Sequence, residues 1–324
     1  TYVCVDQGLP RQTLSGVEVQ YSSEPPLGKV EIGLLRDAHR TLRRELFDVV
    51  FLRRTKFSFL LRLRHPRTRM IFDIRTGSIE EDGLRRRIEN TWLRWNAVFF
   101  RFITVISSGL ASQLLLPGRV HVLPLGADPP PGLTRRCPGE LRLIYTGTFK
   151  NRKLHRAIAG FAGFVEGLGP DHRATFTLVG FGSEAELQRL HREIEDHGLE
   201  EIVSIRPRVV NRDLWKIFAE HDVGVAFTPR APWFEHQPST KVFEYLQSGL
   251  ACIATNTTAN REVITSRNGV LIDDTPVGFC RGLQILSERL AELSPEGVAE
   301  TVSDYSWKKI VDHNLAPYLE VVKR

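Results

Sequence analysis

Cysteine, methionine and long apolar runs are all scarce in this chain of 324 residues. It has 4 cysteines and 1 methionine, and no two cysteines have CxxC spacing. Scattered cysteines argue against a zinc site or a disulfide framework and favour a reducing compartment, so we predict a cytoplasmic protein. No apolar run approaches the roughly 20 residues that a membrane-spanning helix needs. The sequence also lacks internal repeats and low-complexity tracts.

Acidic residues are too few to balance the basic ones in one segment. The net charge of the chain is +6, yet Leu35 to Arg101 holds 17 Lys and Arg against 8 Asp and Glu, an excess of 9. Such a segment attracts polyanions, which include nucleic acid, anionic lipid headgroups and phosphorylated substrates. A solvated basic face is the alternative interpretation.

Short, continuous apolar runs recur along the chain with helical stretches between them. In the first half these runs are Asp48–Leu52, Arg69–Ile74, Phe102–Ser107 and Arg119–Leu125. In the second half they are Leu141–Gly147, Thr175–Gly180, Ile202–Pro207, Asp222–Phe227, Ala251–Thr255 and Gly269–Ile272. Continuous apolarity is typical of strands covered on both faces, and alternation with helices predicts parallel, doubly wound sheets.

A segment rich in proline and glycine divides the chain. Leu125 to Glu140 contains three consecutive prolines, which cannot continue a helix or a central strand. We predict two Rossmann-like α/β domains, residues 1–127 and 140–304, joined by a linker over 128–139. Two such domains would face each other across a cleft at the carboxyl ends of their strands, where open α/β sheets bind ligands.

The N-terminal domain begins in an unusual way. The apolar run Thr1–Val5 is followed by a polar loop, Leu9–Gly16, and by a second apolar run, Val17–Tyr21, without a helix in between. A Rossmann unit should open with a strand, a glycine-rich turn and a helix. The pattern therefore predicts that this domain lacks its first βα unit.

The stretch IYTGTFKNRKLHRAIAGF, residues 144–161, predicts a strand, a glycine turn, a basic cluster and a helix. Gly147 allows a tight exit from the strand. Lys150, Arg152 and Lys153 come at the helix start, where cations gain nothing from the positive end of the helix dipole. An anion such as phosphate would explain them, because free backbone N–H groups also favour it there. A basic surface loop is the alternative.

A second glycine turn follows in LVGFGSEAELQRL, residues 178–190. Gly180 and Gly182 form a GxG turn, but the full GxGxxG is absent, so this is not a dinucleotide fingerprint. Ser183 and Glu186 have the spacing of a capping box. Gly180 is a candidate ligand contact, and a tight turn before a well-capped helix is the alternative.

The stretch QPSTKVFEYLQSG, residues 237–249, predicts a short helix with an unusually polar start. Pro238 and Ser239 open the helix, and Gly249 closes it in the position after the C-cap. Capping needs only one hydroxyl group. We therefore predict that the backbone amides of Ser239, Thr240 and Lys241 point into the cleft and bind an anion.

Glu244 lies about one turn inside this helix, while Val242, Phe243 and Leu246 supply its core face. A carboxylate facing the cleft can accept hydrogen bonds from two vicinal hydroxyl groups, such as those of a ribose. A solvent-facing helix residue is the alternative.

These pieces resemble the C-terminal domain of the family-4 retaining glycosyltransferases of GT-B fold. The resemblance is carried by YTGTFKNRKL, LVGFGSEAEL, LWKIFAEHDVGVAF, PSTKVFEYLQSGLACIAT, NREVI and the terminal YSWKKIVDHNLAPYLEVV. It implies that the segment after Gly147, with Thr148, Lys150 and the PSTK helix start, holds a donor diphosphate. It also implies that Glu244 holds the donor ribose and that a helix over 305–324 packs back on the N-terminal domain.

The chain departs from the family pattern at two positions. The family has two glutamates separated by seven residues, and counting back from Glu244 places His236 where the first would stand. Glu235 is adjacent and is the alternative after a loop shift. Many members also have arginine directly after the glycine of the first motif, where this chain has Thr148, so Arg152 and Lys153 would take the phosphate role.

The resemblance implies transfer of a sugar from a nucleotide diphosphate sugar to a glycan or lipid-linked acceptor, with retention and without a metal or other cofactor. Lys153 and Arg152 would stabilise charge on the departing β-phosphate, and His236 would take the place of the missing glutamate. In the N-terminal domain, Asp73 and Arg75 would line the acceptor side, with a structural salt bridge as the alternative.

The segment Leu84–Phe102 places arginines beside tryptophans and phenylalanines, which favours an anionic membrane surface as a partner. We therefore predict peripheral attachment to the inner face of the plasma membrane, with buried aromatics and solvated arginines as the alternative. Three other functions stay open: a nucleotide-sugar 2-epimerase of the same fold, a catalytically silent nucleotide-sugar-binding subunit, and nucleic-acid binding. The last has no recognised motif in its favour.

Overall fold

The computed structural model describes residues 1–5, 11, 13, 15–22, 30–118, 120–134, 139–169 and 172–324. The chain forms two units, which we call the N-terminal unit (Thr1–Leu123 with Asn314–Arg324) and the C-terminal unit (Pro124–His313). Half of the predicted loop Leu9–Gly16 and residues 135–138 of the predicted linker lie outside the described residues.

The N-terminal unit contains two parallel sheets. Its strands are β1 (Tyr2–Val5), β2 (Val19–Ser22), β3 (Val50–Arg53), β4 (Met70–Ile74), β5 (Phe102–Val105) and β6 (Val120–Val122). Its first helices are α1 (Val30–Arg44), α2 (Ser58–Arg64), α3 (Gly83–Ala97) and α4 (Ser108–Leu114). Strands β1 and β2 pair with each other, and the other four form a sheet in the order β3-β4-β5-β6.

The C-terminal unit alternates strands and helices. Its strands are β7 (Glu140–Thr148), β8 (Arg173–Phe181), β9 (Val203–Pro207), β10 (Val223–Ala226), β11 (Ala251–Thr255) and β12 (Gly269–Ile272). Its helices are α5 (Leu154–Glu166), α6 (Glu184–Asp196), α7 (Leu214–Phe218), α8 (Thr240–Gln247), α9 (Thr258–Arg261), α10 (Pro276–Arg289), α11 (Pro295–Glu300) and α12 (Trp307–Ile310).

The sheet of the C-terminal unit is parallel and doubly wound, in the order β12-β11-β10-β7-β8-β9. The strand order reverses between β7 and β10. In an open α/β sheet, this reversal leaves a crevice beyond the carboxyl ends of the two strands, and ligands bind there. The predicted α/β fold with parallel, doubly wound sheets is confirmed.

The ten apolar runs from Asp48 to Ile272 that the sequence predicted as strands coincide with strands of the four-stranded sheet in the N-terminal unit and of the sheet in the C-terminal unit. The ends agree within a few residues. The reason is visible in β4 and β11, in which every residue is buried. Helices cover both faces of a parallel sheet, so its strands are apolar on both sides rather than on alternate positions.

A buried ion pair sets the start of β10 against β7. Asp222 is fully buried, and its carboxylate accepts hydrogen bonds from the backbone N, Nε and Nη2 of Arg142 at 2.9, 2.9 and 2.8 Å. Donors surround both carboxylate oxygens, which compensates the loss of hydration on burial. The pair therefore joins the two strands at which the strand order reverses.

The segment after β6 runs within the C-terminal unit as far as Thr134. Thr134 is buried, and its backbone N–H donates to Ser248 O at 3.0 Å while its hydroxyl donates to His221 O. Farther upstream, the N–H of Ala127 donates to Tyr305 O at 3.0 Å. Thr134 of the predicted linker and Ala127 just before it are thus hydrogen-bonded to this unit.

The last helical stretch begins at Trp307 and is not regular. A π-helical turn, Val311–Leu315, separates α12 from α13 (Ala316–Lys323), next to a proline that has no N–H to donate. Within the N-terminal unit, Tyr318 stacks on His121 with ring centroids 3.9 Å apart. Among the described residues, no helix combines the length and the apolarity that crossing a membrane requires.

Candidate functional site

The glycine turn at the end of β7 is the centre of the candidate site. Gly147 has φ +123°, a conformation that other residues rarely adopt. It pairs with Gly180 on β8, and a Cβ on Gly180 would lie only 1.8 Å from the carbonyl oxygen of Gly147. Gly180 is therefore needed for the close approach of the two strand ends, and its role as a ligand contact stays a prediction.

The loop from β7 to α5 is held in a strained conformation that exposes its lysines. Asn151 and Lys153 both have left-handed φ values, +56° and +52°, which cost energy in residues other than glycine. Lys150 and Lys153 are exposed, and the hydroxyl of Thr148 accepts from the N–H of Lys150 at 3.2 Å. Strain of this kind concentrates at functional turns, so the loop is a good candidate for an anion-binding segment.

The electrostatic environment at the start of α5 is positive. Burial, together with the nearby cations Arg189, Arg156 and Lys153, lowers the pKa of His155 to about 4. His155 is therefore neutral at pH 7. A site with this field favours anionic ligands.

Helix α8 is fixed against β7 by a tyrosine. The hydroxyl of Tyr245 accepts a hydrogen bond of 2.8 Å from the N–H of Thr146, just beyond the paired part of β7 and β10. A Cβ on Gly224 would lie 2.2 Å from the Tyr245 ring, so this glycine makes room for it. The start of α8 is thereby fixed beside the Gly147 turn.

Helix α8 begins without a side-chain cap in the part of the chain that the structure describes. Five other described helices of the C-terminal unit begin with a hydroxyl that accepts from a backbone N–H, namely those capped by Ser183, Thr257, Thr275, Ser294 and Ser306, whereas α5 and α7 have no side-chain cap. Ser239 occupies the same position in α8 but makes no such bond. Its hydroxyl and the amides of Thr240 and Lys241 are thus available to an anion, whereas the N–H of Val242 donates to Ser239 O at 3.1 Å. The predicted capping box at Ser183 and Glu186 and the C-terminal Gly249, with φ +79°, are confirmed.

Lys241 and Arg152 converge on the ring of Tyr145, a residue of β7 two positions before the glycine turn. The Nζ atom of Lys241 lies 3.9 Å from the ring centroid. The Tyr145 hydroxyl donates to Thr148 O at 2.6 Å, and the nearby guanidinium of Arg152 opposes the rise in the pKa of Tyr145 that burial causes. The guanidinium of Arg152 also lies 4.9 Å from the ring of Phe234 in the loop before α8. The structure therefore joins the two predicted anion-binding segments through their cations.

Glu244 is partly buried on α8, one turn after Lys241. Burial raises the pKa of its carboxyl group, and the neighbouring Lys241 opposes this shift. Its carboxylate accepts no hydrogen bond from any of the residues that the structure describes. It is therefore in a position to accept hydrogen bonds from ligand hydroxyl groups.

His236 and Glu235 lie in the loop before α8, and both are partly buried. One carboxylate oxygen of Glu235 accepts from the N–H and the hydroxyl of Thr258, at 3.0 and 3.1 Å. Its other oxygen lies 3.8 Å from Nε of Arg230. Glu235 is thus engaged at the start of α9, which disfavours it as a substitute for the missing glutamate. A catalytic role for His236 stays a prediction.

Asp73 and Arg75 lie at and just beyond the carboxyl end of β4. Asp73 is buried, and its two carboxylate oxygens accept from Arg75 Nε at 2.6 Å and from the hydroxyl of Thr104 at 2.7 Å. Both oxygens are already bound, which favours the structural salt bridge over an acceptor contact. Their role toward an acceptor stays a prediction.

No group of three His, Cys, Asp or Glu side chains that could hold a metal ion occurs within the described parts of the chain. The sequence patterns also did not indicate several residues that shape the site. Tyr145, Tyr245, Gly224 and Phe234 contribute only through contacts with distant parts of the chain. The one sequence signal for Tyr145 is that it shares a strand face with Gly147.

Comparison with known proteins finds a family model that matches most of the C-terminal unit. Residues 140–289 match the family model described as glycosyl transferases group 1. This part of the chain is therefore similar to the glycosyl transferases of group 1. The matched range contains the glycine turn, the basic loop and the whole of α8, and the predicted resemblance to glycosyltransferases of GT-B fold is confirmed.

One relative of this chain is D-inositol 3-phosphate glycosyltransferase from Paenarthrobacter aurescens (strain TC1), with 26% identity over 218 residues. The match covers 63% of this chain and 52% of the relative, so the aligned part spans about half the length of that protein.

Solved structures share the fold at low identity. Sucrose-phosphate synthase from Thermosynechococcus elongatus has a TM-score of 0.78 and 13% identity, covering 98% of this chain and 86% of its own. Anabaena Alr3699/HepE, in complex with UDP and glucose, has a TM-score of 0.71 and 16% identity, covering 94% and 86%. These likenesses establish the GT-B fold.

Proposed function

We propose that this protein is a retaining glycosyltransferase that moves a sugar from a nucleoside diphosphate sugar to a hydroxyl group of a glycan or lipid-linked acceptor. One observation carries the proposal. The Gly147 turn, the uncapped start of α8 and the carboxylate of Glu244 occur together where the strand order of the C-terminal unit, which is similar to the group 1 glycosyl transferases, reverses. This is the location at which an open α/β sheet binds its ligand.

The chemistry required of the protein is stabilisation of the leaving group. In the reaction, the bond between the anomeric carbon and the β-phosphate oxygen breaks, and a bond to the acceptor oxygen forms on the same face of the sugar. The acceptor hydroxyl loses its proton, which the departing phosphate oxygen can take. Negative charge develops on that phosphate, and Arg152, Lys153 and the free amides at the start of α8 would stabilise it. No step assigned to these residues calls for a metal or another cofactor.

Glu244 would bind the donor through its ribose. A carboxylate has two oxygens and can accept from both vicinal hydroxyl groups, whereas a partly buried carboxylate left without donors is costly. This cost explains why an otherwise unpartnered carboxylate at this position favours a ligand with two adjacent hydroxyls. Asp73 and Arg75 are the proposed acceptor-side residues of the N-terminal unit.

The names of related proteins indicate which donor to test first. The Anabaena structure contains UDP and glucose, and the curated relative is named as a glycosyltransferase acting on D-inositol 3-phosphate. Both are properties of those proteins. They support UDP-glucose as the first candidate donor, with an acceptor left open.

A panel of nucleotides tests the proposal. UDP, GDP, dTDP and their sugars are added in turn, and the thermal unfolding of the full chain is followed. A saturating ligand at about 100 times its Kd stabilises by about 2.7 kcal/mol, so the nucleotide that binds should raise the midpoint by several degrees. The absence of any shift with every nucleotide would contradict the proposal.

Assays of turnover separate the remaining alternatives. A glycosyltransferase releases the nucleoside diphosphate when an acceptor is present. A 2-epimerase of the same fold would interconvert two nucleotide sugars without net release, and a silent subunit would bind the nucleotide without turnover. Nucleic-acid binding would appear as affinity for DNA or RNA that UDP does not reduce.

We also propose that α3 lies on an anionic membrane surface, which would bring the enzyme close to a lipid-linked acceptor at the inner face of the plasma membrane. Four apolar residues follow one another at helical spacing along α3 and stay exposed, Leu84 at 69%, Ile88 at 60%, Trp92 at 37% and Trp95 at 42%. Arg85, Arg87 and Arg94 on the same helix are exposed as well.

The aromatic residues of α3 belong to a cluster at the protein surface. Trp92 and Trp95 stack with centroids 5.0 Å apart, and Phe59 of α2 contacts Trp95 at 4.8 Å. Two partly exposed tryptophans beside exposed arginines suit the interface between water and anionic lipid. They do not fit the alternative in which all these aromatics are core.

Reversing two charges on α3 is expected to weaken membrane binding. Each arginine near an anionic surface contributes about 1 kcal/mol, so Arg85→Glu with Arg87→Glu should lower partitioning about 30-fold or more. The measurement is co-sedimentation with vesicles of phosphatidylcholine and phosphatidylglycerol, compared with phosphatidylcholine alone. Arg192→Glu with Arg267→Glu changes the net charge equally at exposed positions of the C-terminal unit. Equal loss in both double variants would show that only total charge matters and would count against α3 as the contact.

A further inference from the structure

A cavity of about 410 Å³ lies between helices α1 and α2 of the N-terminal unit, and we call it the α1–α2 groove. Its apolar walls come from Ile32 and Leu35 of α1 and from Phe57, Leu60 and Leu61 at and after the start of α2. Leu35 and Leu61 are buried, whereas Ile32 and Leu60 are exposed, so the groove has a buried apolar base and an exposed apolar rim. Its volume is within the range of roughly 300–1,000 Å³ that small-molecule sites occupy.

Hydrogen bonds hold the two helices on either side of the groove. Nδ1 of His39, which lines the groove from α1, lies 2.8 Å from Nε2 of His65 at the end of α2. The guanidinium of Arg62 donates to the carbonyl oxygens of His65 and Pro66, at 3.0 and 2.9 Å. These contacts fix the end of α2 against α1. A groove formed in advance costs a ligand less ordering than one that must open.

The rim of the groove carries an excess of positive charge. Arg36 and Arg64 line it, and both are exposed. Oδ1 of Asp37 lies 3.5 Å from Nε of Arg36 but only 3.1 Å from Nη1 of Arg40, so one carboxylate serves two guanidinium groups. Arg64 has no ion pair within the described parts of the chain, and none of the described groove residues carries a carboxylate. The rim therefore attracts an anionic group.

The groove adjoins the aromatic cluster of α3. Phe57 lines the groove and also packs edge-on against Trp92 of α3, with ring centroids 6.1 Å apart. Nε1 of Trp92 donates to the carbonyl oxygen of Lys56, the residue before Phe57, at 2.6 Å. The apolar surface of the groove is thus continuous with the helix that we propose to lie on an anionic membrane.

We propose that the α1–α2 groove binds one acyl chain of an anionic phospholipid, whose phosphate contacts Arg36 and Arg64. This inference rests on the proposed attachment of α3 to an anionic membrane, and it adds to that attachment a site for a single lipid molecule. The chain would cover the apolar rim at Ile32 and Leu60, and the phosphate would supply the anion that Arg64 lacks. An uncharged chain or peptide would cover the rim but leave the arginines without a phosphate.

Titration with a single-chain lipid tests the groove without a membrane. Lysophosphatidylglycerol is added to the full chain below its critical micelle concentration, and calorimetry should show about one lipid bound per protein molecule. Lysophosphatidylcholine with the same chain should bind about tenfold more weakly, because the arginines gain less from a zwitterion than from an anion. Each methylene added to the chain should raise the affinity about 3- to 4-fold until the groove is filled.

Removing the two arginines at the rim should abolish the preference for the anionic lipid. Arg36→Gln with Arg64→Gln should bind lysophosphatidylglycerol about tenfold more weakly than wild type, and its affinity for lysophosphatidylcholine should stay within about 3-fold. Arg67→Gln with Arg69→Gln removes the same charge at exposed positions after α2 that do not line the groove. This control should keep the wild-type preference.

A polar side chain at the apolar rim should weaken the binding of both lipids. Leu60→Gln should lower both affinities about tenfold, because the acyl chain loses an apolar contact and desolvates an amide. Leu63→Gln is the matched control, since Leu63 is an exposed leucine of the same helix that does not line the groove. Thermal unfolding shows whether the variants are folded, and the comparison of the two lipids on wild-type protein stays decisive if one is not.

The outcomes separate this inference from the proposed attachment of α3. Equal affinity for the two lipids, many lipids bound per protein, or equal loss in Leu60→Gln and Leu63→Gln would show adsorption without a defined site and overturn the inference. Self-association of the protein that Leu60→Gln abolishes would also overturn it, since a second copy would then occupy the groove. If vesicle binding depends on Arg85 and Arg87 while lysophosphatidylglycerol does not bind, only the groove is wrong. If wild-type protein does not bind phosphatidylglycerol vesicles, the attachment of α3 is wrong.

Discussion

Replacing Glu244 by alanine is expected to weaken UDP binding by about 2–4 kcal/mol, a factor of roughly 30 to 1,000. The carboxylate has no hydrogen-bond partner among the described residues, and burial raises its pKa. In the nucleotide complex, two ribose hydroxyl groups would donate to it. Truncation removes both charge-assisted bonds and leaves the ribose hydroxyls facing a partly buried cavity.

Calorimetric titration with UDP measures this effect, and two further variants sharpen it. Glu244→Gln preserves the shape and one acceptor oxygen but loses the charge, so its loss of affinity should be intermediate. Glu288→Ala removes an exposed carboxylate from α10 of the same unit and should leave affinity unchanged. Wild-type affinity in Glu244→Ala would remove Glu244 from the nucleotide site.

Replacing Gly180 by alanine is expected to destabilise the C-terminal unit by about 3 kcal/mol and to damage the nucleotide site at the same time. The new Cβ would lie 1.8 Å from the carbonyl oxygen of Gly147 and 2.9 Å from the ring of Phe149. The first contact is with backbone, so no side-chain rotation can relieve it. The ends of β7 and β8 must move apart, and the Gly147 turn moves with them.

Chemical denaturation followed by circular dichroism, together with UDP titration, measures both consequences. Gly163→Ala is the matched control because a Cβ there would meet only Cys280 Sγ, at an ordinary 3.8 Å. Gly163 lies inside α5, so this change should stabilise by about 0.5–1 kcal/mol. Equal stability of the two variants would show that β7 and β8 tolerate separation and that the close approach at Gly180 is unimportant.

Local sequence patterns predicted the architecture well. The continuous apolar runs coincide with the strands because parallel strands are covered by helices on both faces. The capping box at Ser183 and the glycine after the C-cap of α8 were also predictable, because each depends on residues within one or two helical turns. The sequence also showed more polar residues at the start of α8 than a cap requires. In the structure, Ser239 indeed makes no side-chain capping bond.

Contacts between distant segments were not predictable from those patterns. Gly180 was part of an ambiguous GxG turn, and its requirement became clear only beside Gly147. Asp73 and Arg75 suited either a salt bridge or an acceptor contact until both oxygens of Asp73 were found engaged. Glu235 looked like a neighbouring substitute for a missing glutamate, whereas its carboxylate is held at the start of α9.

The sequence by itself determined the strands, the cap of α6, both ends of α8 and the two segments that a phosphate would favour, because periodicity and capping act over a few residues. Only the tertiary structure decided which side chains meet. Lys241 was predicted to contribute a backbone amide, yet its partly buried side chain places the ammonium group over the ring of Tyr145 of β7, near Arg152. Desolvation and charge repulsion depend on everything packed around a group, and that environment is assembled from strands and loops far apart in the chain.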